Sequence, residues 1–218
     1  MPAQRPTRRR EFHHRRNGAS VIVGVDEVGR GPLAGPIVTA AVSLPLDQRP
    51  AWLSQLRDSK QLSPRRRQRL APLIRDGALQ WNLGWVHAQE LDRLGMTTAL
   101  RLACRRAVEG LARPPDVVIA DGRDDLRLDC PTEMIVKGDA SIASIAAASI
   151  VAKVARDRWM VELDERFPGY GFASHKGYAS ARHLAALQAL GPCPEHRRSF
   201  APVADLLRPR LALDAAGA

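Results

Sequence analysis

The sequence predicts an α/β domain built around a mixed sheet, and three observations lead there. Two runs rich in β-branched residues come first, at 21–25 and 37–42, and helix-period segments then alternate with further strand-like runs. A hydrophobic share of 45% over 218 residues is ample for one core, and the length suits one domain. No internal repeat divides the chain.

Each element has its own signal. Residues 1–18 hold six arginines against one glutamate, half of the chain's net +10, and read as a disordered basic arm attracted to phosphate. The apolar run 21–25 reads as a buried strand that stops abruptly on Asp26 and Glu27. A turn, Gly29-Arg30-Gly31-Pro32, leads into the second strand, 37–42, and 47–51 is a proline-containing connection. Ser63-Pro64 pairs an N-cap with proline at the first helical position and opens a helix over 65–75, which Gly77 ends.

Residues 79–86 alternate as a strand, and 88–111 are helical with a break near Gly95. Met96, Leu100, Ala103, Ala107 and Leu111 recur at three- and four-residue spacing and mark the buried stripe. Pro114-Pro115 stops that helix. Short strands follow at 117–120, ending on Asp121, and at 133–136. Lys137-Gly138-Asp139 then leads into an Ala/Ser/Ile-rich helix over 141–166, whose Ala146, Ala147, Ala148 and Ala152 allow close approach to a sheet. A Gly/aromatic loop spans 167–178, a last core helix 179–190, and a leucine-rich tail 206–218. The domain itself is expected to run over 19–205.

The net charge and a pI near 10.6 favour an acidic partner, nucleic acid ahead of a membrane surface. Cys104, Cys130 and Cys193 are odd in number and lack any C-x-x-C spacing. Neither a disulfide framework nor a zinc site is expected, and a reducing cytoplasm is the default. No apolar run reaches transmembrane length, and no apolar segment of signal-peptide type follows the arginines.

The acids carry the chemistry. Asp26 and Glu27 end the first strand, Asp121 ends the fourth, and Asp139 precedes a helix. Adjacent carboxylates at a strand end repel each other and need cations to stay ionised. Strand-end acids gathered on one sheet edge suit hard, oxygen-liganded cations, magnesium or manganese. Singly each acid has a plainer reading, Asp121 as a turn former and Asp139 as a helix cap. Asp124, Asp125 and Asp129 have no apolar strand leading into them and read as loop acids.

The segment DEVGRGPLAGPIVTAAV resembles the signature of the ribonuclease HII (type 2 ribonuclease H) family. VVIADG, VKGDASIASIAAASIVAKVARDR and SHKGYAS match further family motifs, and the likeness covers about 21–203. The resemblance implies a ribonuclease H-like fold: a five-stranded mixed sheet flanked by helices, with a helical C-terminal part. It implies an endoribonuclease that hydrolyses the RNA strand of RNA–DNA hybrids and nicks 5′ of single ribonucleotides in duplex DNA. Two divalent ions, Mn2+ or Mg2+, would serve, leaving 3′-hydroxyl and 5′-phosphate ends, and a monomer is expected.

By the same carry-over Asp26, Glu27 and Asp121 bind metal and Asp139 completes the site. Gly29, Arg30 and Gly31 contact ribose 2′-hydroxyls beside the cut, and Tyr178 stacks on the sugar at the RNA–DNA junction. Lys60, Lys137, Lys153 and the His175-Lys176 pair are candidate phosphate contacts. His196-Arg197-Arg198-Ser199-Phe200 matches a family segment whose part is structural. Two positions depart from the family pattern: Gln61 stands where lysine is usual, and Ala179-Ser180 where glycine-threonine is usual. Both lie outside the carboxylate set.

Two other classes compete. A non-catalytic hybrid-binding module would share the basic charge, but four acids would repel phosphates unless metals offset them. A dinucleotide-binding enzyme fails because the glycine spacing is one residue too long and a strand, not a helix, follows Pro32.

Overall fold

The computed structural model describes residues 5–208. Its strands are β1 (Ile22–Val28), β2 (Ile37–Ser43), β3 (Gln80–Val86), β4 (Val117–Asp121) and β5 (Thr132–Ile135). They form one sheet in the order β3-β2-β1-β4-β5. The first three strands pair antiparallel, whereas β4 runs parallel to both β1 and β5. The sheet is therefore mixed, as the order of sequence signals implied.

The helices are α1 (Arg9–Arg16), α2 (Pro64–Gly77), α3 (Ala88–Leu94), α4 (Met96–Glu109), α5 (Gly138–Ser141), α6 (Ala143–Arg166), α7 (Phe172–His175), α8 (Ala181–Leu190) and α9 (Ala201–Leu207). The two-residue period of the strands divides the core between two faces. Val23, Val25, Ile37 and Ala41 pack with Ala99, Ala103 and Ala107 of α4. Ala40 and Val42 point the other way, onto Leu70 and Ile74 of α2 and Ala146, Ala147 and Ile150 of α6. Gly24 explains how close α6 comes to β1, because any Cβ there would collide with the backbone of Ser144 and Ile145.

Local chemistry sets the boundaries. Ser63 Oγ accepts the Arg66 N–H at 3.4 Å and starts α2, with Pro64 in the first turn. Gly95 separates α3 from α4, where the break was expected. The helix expected over 141–166 is divided: Ile142 is extended (φ −112°, ψ 127°), so α5 stops before it and α6 starts after it. The Gly/aromatic segment 167–178 contains the single turn α7.

The basic arm departs from its expectation. Residues 9–16 form a helix, and Thr7 makes a parallel bridge with Ile142. The arginine count suggested a disordered arm, but Glu11 is buried and Arg10 and His14 both bind Glu133 of β5. Of the expected tail, 206–207 belong to α9, and 209–218 lie outside the described residues. Among the described residues no helix is long and apolar enough to cross a membrane.

Candidate active site

The parallel pairing of β1 with β4 assembles the site. Val25 lies opposite Ala120, so the next residues, Asp26 and Asp121, emerge side by side at the same sheet end. Glu27 follows Asp26 on the opposite face of the strand, and its N–H donates to Asp26 Oδ1 at 2.9 Å. Asp121 Oδ1 accepts the Gly138 N–H at 2.7 Å, which ties the start of α5, and with it Asp139, to the end of β4. Asp26 and Asp139 are both buried.

This crowding shows in their protonation. Burial pushes Asp26 well above the usual carboxylate range, with Glu27 next in effect and Asp121 and Asp139 adding to it; the Ser149 hydroxyl partly offsets the rise. Burial also raises Glu27, against the opposing pull of Arg30, and Asp121 adds a like charge. Asp139 is raised by burial, then by Asp58 and Asp121, with Lys60 opposing. Lys60 rises too: burial works against its charge, but Asp139, Asp58, Asp26 and Asp121 together outweigh it.

The four carboxylates thus share one electrostatic neighbourhood. Among the described residues, however, no three Asp, Glu, His or Cys side chains close into a metal-ligating cluster. The chemistry of the donor set still fits a hard dication: every donor is a carboxylate oxygen, and the raised acids are those a divalent charge would restore to the ionised form.

The Gly29–Gly31 turn beside this edge is held from beneath by two buried arginines. Arg197 donates from Nη2 to Gly29 O at 2.6 Å, from Nη1 to Arg30 O at 3.0 Å, and from Nε and Nη2 to Gly35 O. Arg156 donates to Ala34 O, Pro36 O and Lys176 O at 2.9–3.1 Å. Burial lowers their guanidinium pKa values to about 10 for Arg156 and about 9 for Arg197. Gly29 has φ +99°, and a Cβ there would press on Arg156 Nε and Pro36 O. The turn therefore requires glycine on two counts.

Arg30 is half-exposed, its Nη1 3.5 Å from Glu27 and 3.1 Å from Asp124. Asp124, expected as a plain loop acid, is thus a partner of the turn's arginine. Tyr178 is 45% exposed and stands beside Gly31, where a Cβ would be 3.8 Å from its ring. Behind it runs a chain of histidines. His183 Nδ1–H donates to Tyr178 O at 2.8 Å, so its Nε2 accepts from His196 Nε2–H at 3.1 Å. His196 Nδ1 in turn accepts the Cys193 N–H at 3.0 Å. Burial lowers both histidines, His196 to about 4, and keeps this chain neutral.

The remaining candidates are less free. Lys60 sits on a 3-10 turn, Ser59–Gln61, beside the acids. Lys153 is paired with Asp157 at 2.7 Å, Lys176 Nζ donates to Ala173 O, and His175 Nε2 bonds Tyr170 O. Lys137 occupies a left-handed position (φ 57°) just before α5. Arg156 and His183 were missed as contributors to the site, and Arg197 was noted only within a segment read as structural, since each reaches the turn only through the tertiary fold.

Known proteins agree with this arrangement. The ribonuclease HII family model matches residues 23–203. The chain is 55% identical over 184 residues to the ribonuclease HII of Laribacter hongkongensis, covering 84% of this chain and 91% of that one. It is 52% identical to the ribonuclease HII of Nitrosococcus oceani, covering 84% and 89%. The crystal structure of ribonuclease H2 from Pyrococcus horikoshii superposes with a TM-score of 0.74 at 26% identity, covering 85% of this chain and 96% of that one. The chain belongs to the ribonuclease HII family, metal-dependent endoribonucleases that act on RNA–DNA hybrids.

Proposed function

We propose that the chain cuts RNA within hybrids and also nicks duplex DNA on the 5′ side of a single embedded ribonucleotide. Asp26, Glu27, Asp121 and Asp139 would hold two divalent cations, Mg2+ or Mn2+. The observation that carries this reading is the β1–β4 register, which sets Asp26 beside Asp121 and next to the Gly29–Gly31 turn. Such a pair of ions, when bound, supplies an activated water and stabilises the leaving oxygen of an in-line displacement.

The chain's own residues supply position and selectivity. Their carboxylates fix where the scissile phosphodiester must lie. Lys60, whose charge the acids reinforce, offers a cation to a neighbouring phosphate. Arg197 takes up the Gly29 and Arg30 carbonyls, and Arg156 packs under Gly29 while bonding Pro36 O, so the turn holds one shape against a ribose. A 2′-hydroxyl read there distinguishes RNA from DNA, and the exposed Tyr178 ring beside Gly31 would stack on the sugar at the junction. Hydrolysis would leave a 3′-hydroxyl and a 5′-phosphate. We place the enzyme, as a monomer, in the reducing cytoplasm, where its three free cysteines would persist.

The test is cleavage of a labelled DNA duplex carrying one ribonucleotide, with magnesium, with manganese and with chelator. A metal-dependent nick 5′ of the ribonucleotide is expected. Cuts confined to a long RNA–DNA hybrid would keep the carboxylate site and remove the junction role of Gly29, Arg30, Gly31 and Tyr178.

A further inference from the structure

Helix α6 starts without a side-chain cap of its own. Its N-cap residue is Ile142, which has no side-chain acceptor to offer the first-turn amides. The Ser144 N–H is met instead by Glu11 Oε1, at 2.9 Å, from the N-terminal arm. Glu11 is 1% exposed, and its carboxylate sits at the positive end of a 24-residue helix. The arm also grips the residues just before that helix. The Thr7 N–H donates to Ser141 O at 2.9 Å, and Thr7 O accepts the Ala143 N–H at 3.0 Å. Backbone groups at 141, 143 and 144 are therefore all satisfied by the arm.

The arm is itself anchored at two further points. Arg8 Nη1 donates to the carbonyls of Pro45 and Gln48, and Arg10 and His14 bind Glu133. Asp139 lies two residues before Ser141. On one side its segment is tied to Asp121 through Gly138; on the other it is tied to Thr7. The arm also lies outside the residues 23–203 that the family model matches.

We propose that the arm is a positioning element of the metal site: Thr7 and Glu11 fix the α5–α6 corner and thereby hold Asp139 toward Asp121 and Asp26. The inference rests on the role given to Asp139 above. An unclamped corner would leave Ile142, the extended link between two helices, free to rotate and to carry Asp139 with it. Arg8, Arg10 and His14 anchor the arm, while Thr7 and the arm's one acid reach the corner itself.

The test is calorimetric titration of the full-length protein with Mn2+, paired with hydrogen exchange of the amides at 141–144, at a temperature where each variant is folded. Glu11→Ala should weaken Mn2+ binding by about fivefold, the scale of one lost cap, and speed exchange at Ser144. Glu11→Gln keeps the acceptor and should restore both. Thr7→Pro loses one donor and should fall between, and it carries the test if Glu11→Ala does not fold. Parent-like Mn2+ affinity in Glu11→Ala, or in Thr7→Pro in its place, overturns the proposal. Asp139→Asn separates the two ideas. If it weakens binding while the arm variants do not, only the arm's role falls; if it binds Mn2+ like the parent, the assignment of Asp139 falls and the proposal with it.

Discussion

Asp26 and Arg197 are both buried charges beside the same turn, and they are treated in opposite ways. Arg197 directs its guanidinium donors at three carbonyl oxygens and has no carboxylate partner among the described residues. Asp26 accepts its neighbour's N–H and is crowded by Glu27, Asp121 and Asp139, which the Ser149 hydroxyl and Lys60 only partly offset. A buried cation spread over fixed carbonyls is a structural fastener. A buried anion crowded by other anions is held ready for something positive. The difference separates residues that build the site from residues that use it.

The largest expected effect breaks the anionic side. Asp26→Asn should cut turnover by at least about a hundredfold, since groups that only support metal ligands already cost about 10- to 100-fold. In chelator the variant should melt no lower than the parent, because a buried, repelled charge is gone. Near-normal turnover would remove Asp26 from the site. The cationic side should respond in stability instead. Arg197→Met leaves the carbonyls of Gly29, Arg30 and Gly35 without donors and should cost about 3 kcal/mol, at about 1–3 kcal/mol for a buried group left unpaired. Denaturant titration would show it, and a parent-like midpoint would end the fastener reading.

Tyr178→Ala sharpens the boundary between the two sides. It should lower cleavage at a lone ribonucleotide by about tenfold, or about 1.4 kcal/mol in the barrier. Unfolding should move by less than about 0.5 kcal/mol, because the ring is exposed and the His183 bond uses the backbone carbonyl. The smallest effect is a pH dependence. His183 and His196 hold fewer protons folded than unfolded, so their contribution to stability is present at neutral pH. It is lost as pH falls from about 6.5 toward the folded pKa of His196, about 4. The raised acids Asp26, Glu27 and Asp139 act in the opposite direction, so the quantity to measure is the parent's acid sensitivity minus that of His196→Phe. No difference between them would mean the histidine chain is not held neutral.

How much of this was legible in sequence follows the same division. Asp26, Glu27 and Asp121 announce themselves because each closes an apolar strand, a local pattern that needs no knowledge of the fold. Gly29 and Gly31 flank their arginine in plain view. Arg197 lies in the His196–Phe200 segment read as structural, and Arg156 in VARDR, part of a family motif that names no partner for it; only the tertiary fold brings carbonyls to them. The arm was misread for a related reason. Its six arginines dominate any charge count, while its organising residue is the single Glu11, whose partner lies 133 residues away. Asp124 was set aside because no strand leads into it, yet Arg30 reaches it across the turn.

The β1–β4 register has a consequence for how the enzyme comes into being. Two strands far apart in the chain must pair before Asp26 meets Asp121, and such non-local pairings form late because loop closure precedes any reward. A nascent chain that has exposed only β1, β2 and β3 carries half of the carboxylates and no partner for them. Nuclease chemistry is thus absent from the growing polypeptide until most of the domain has been made.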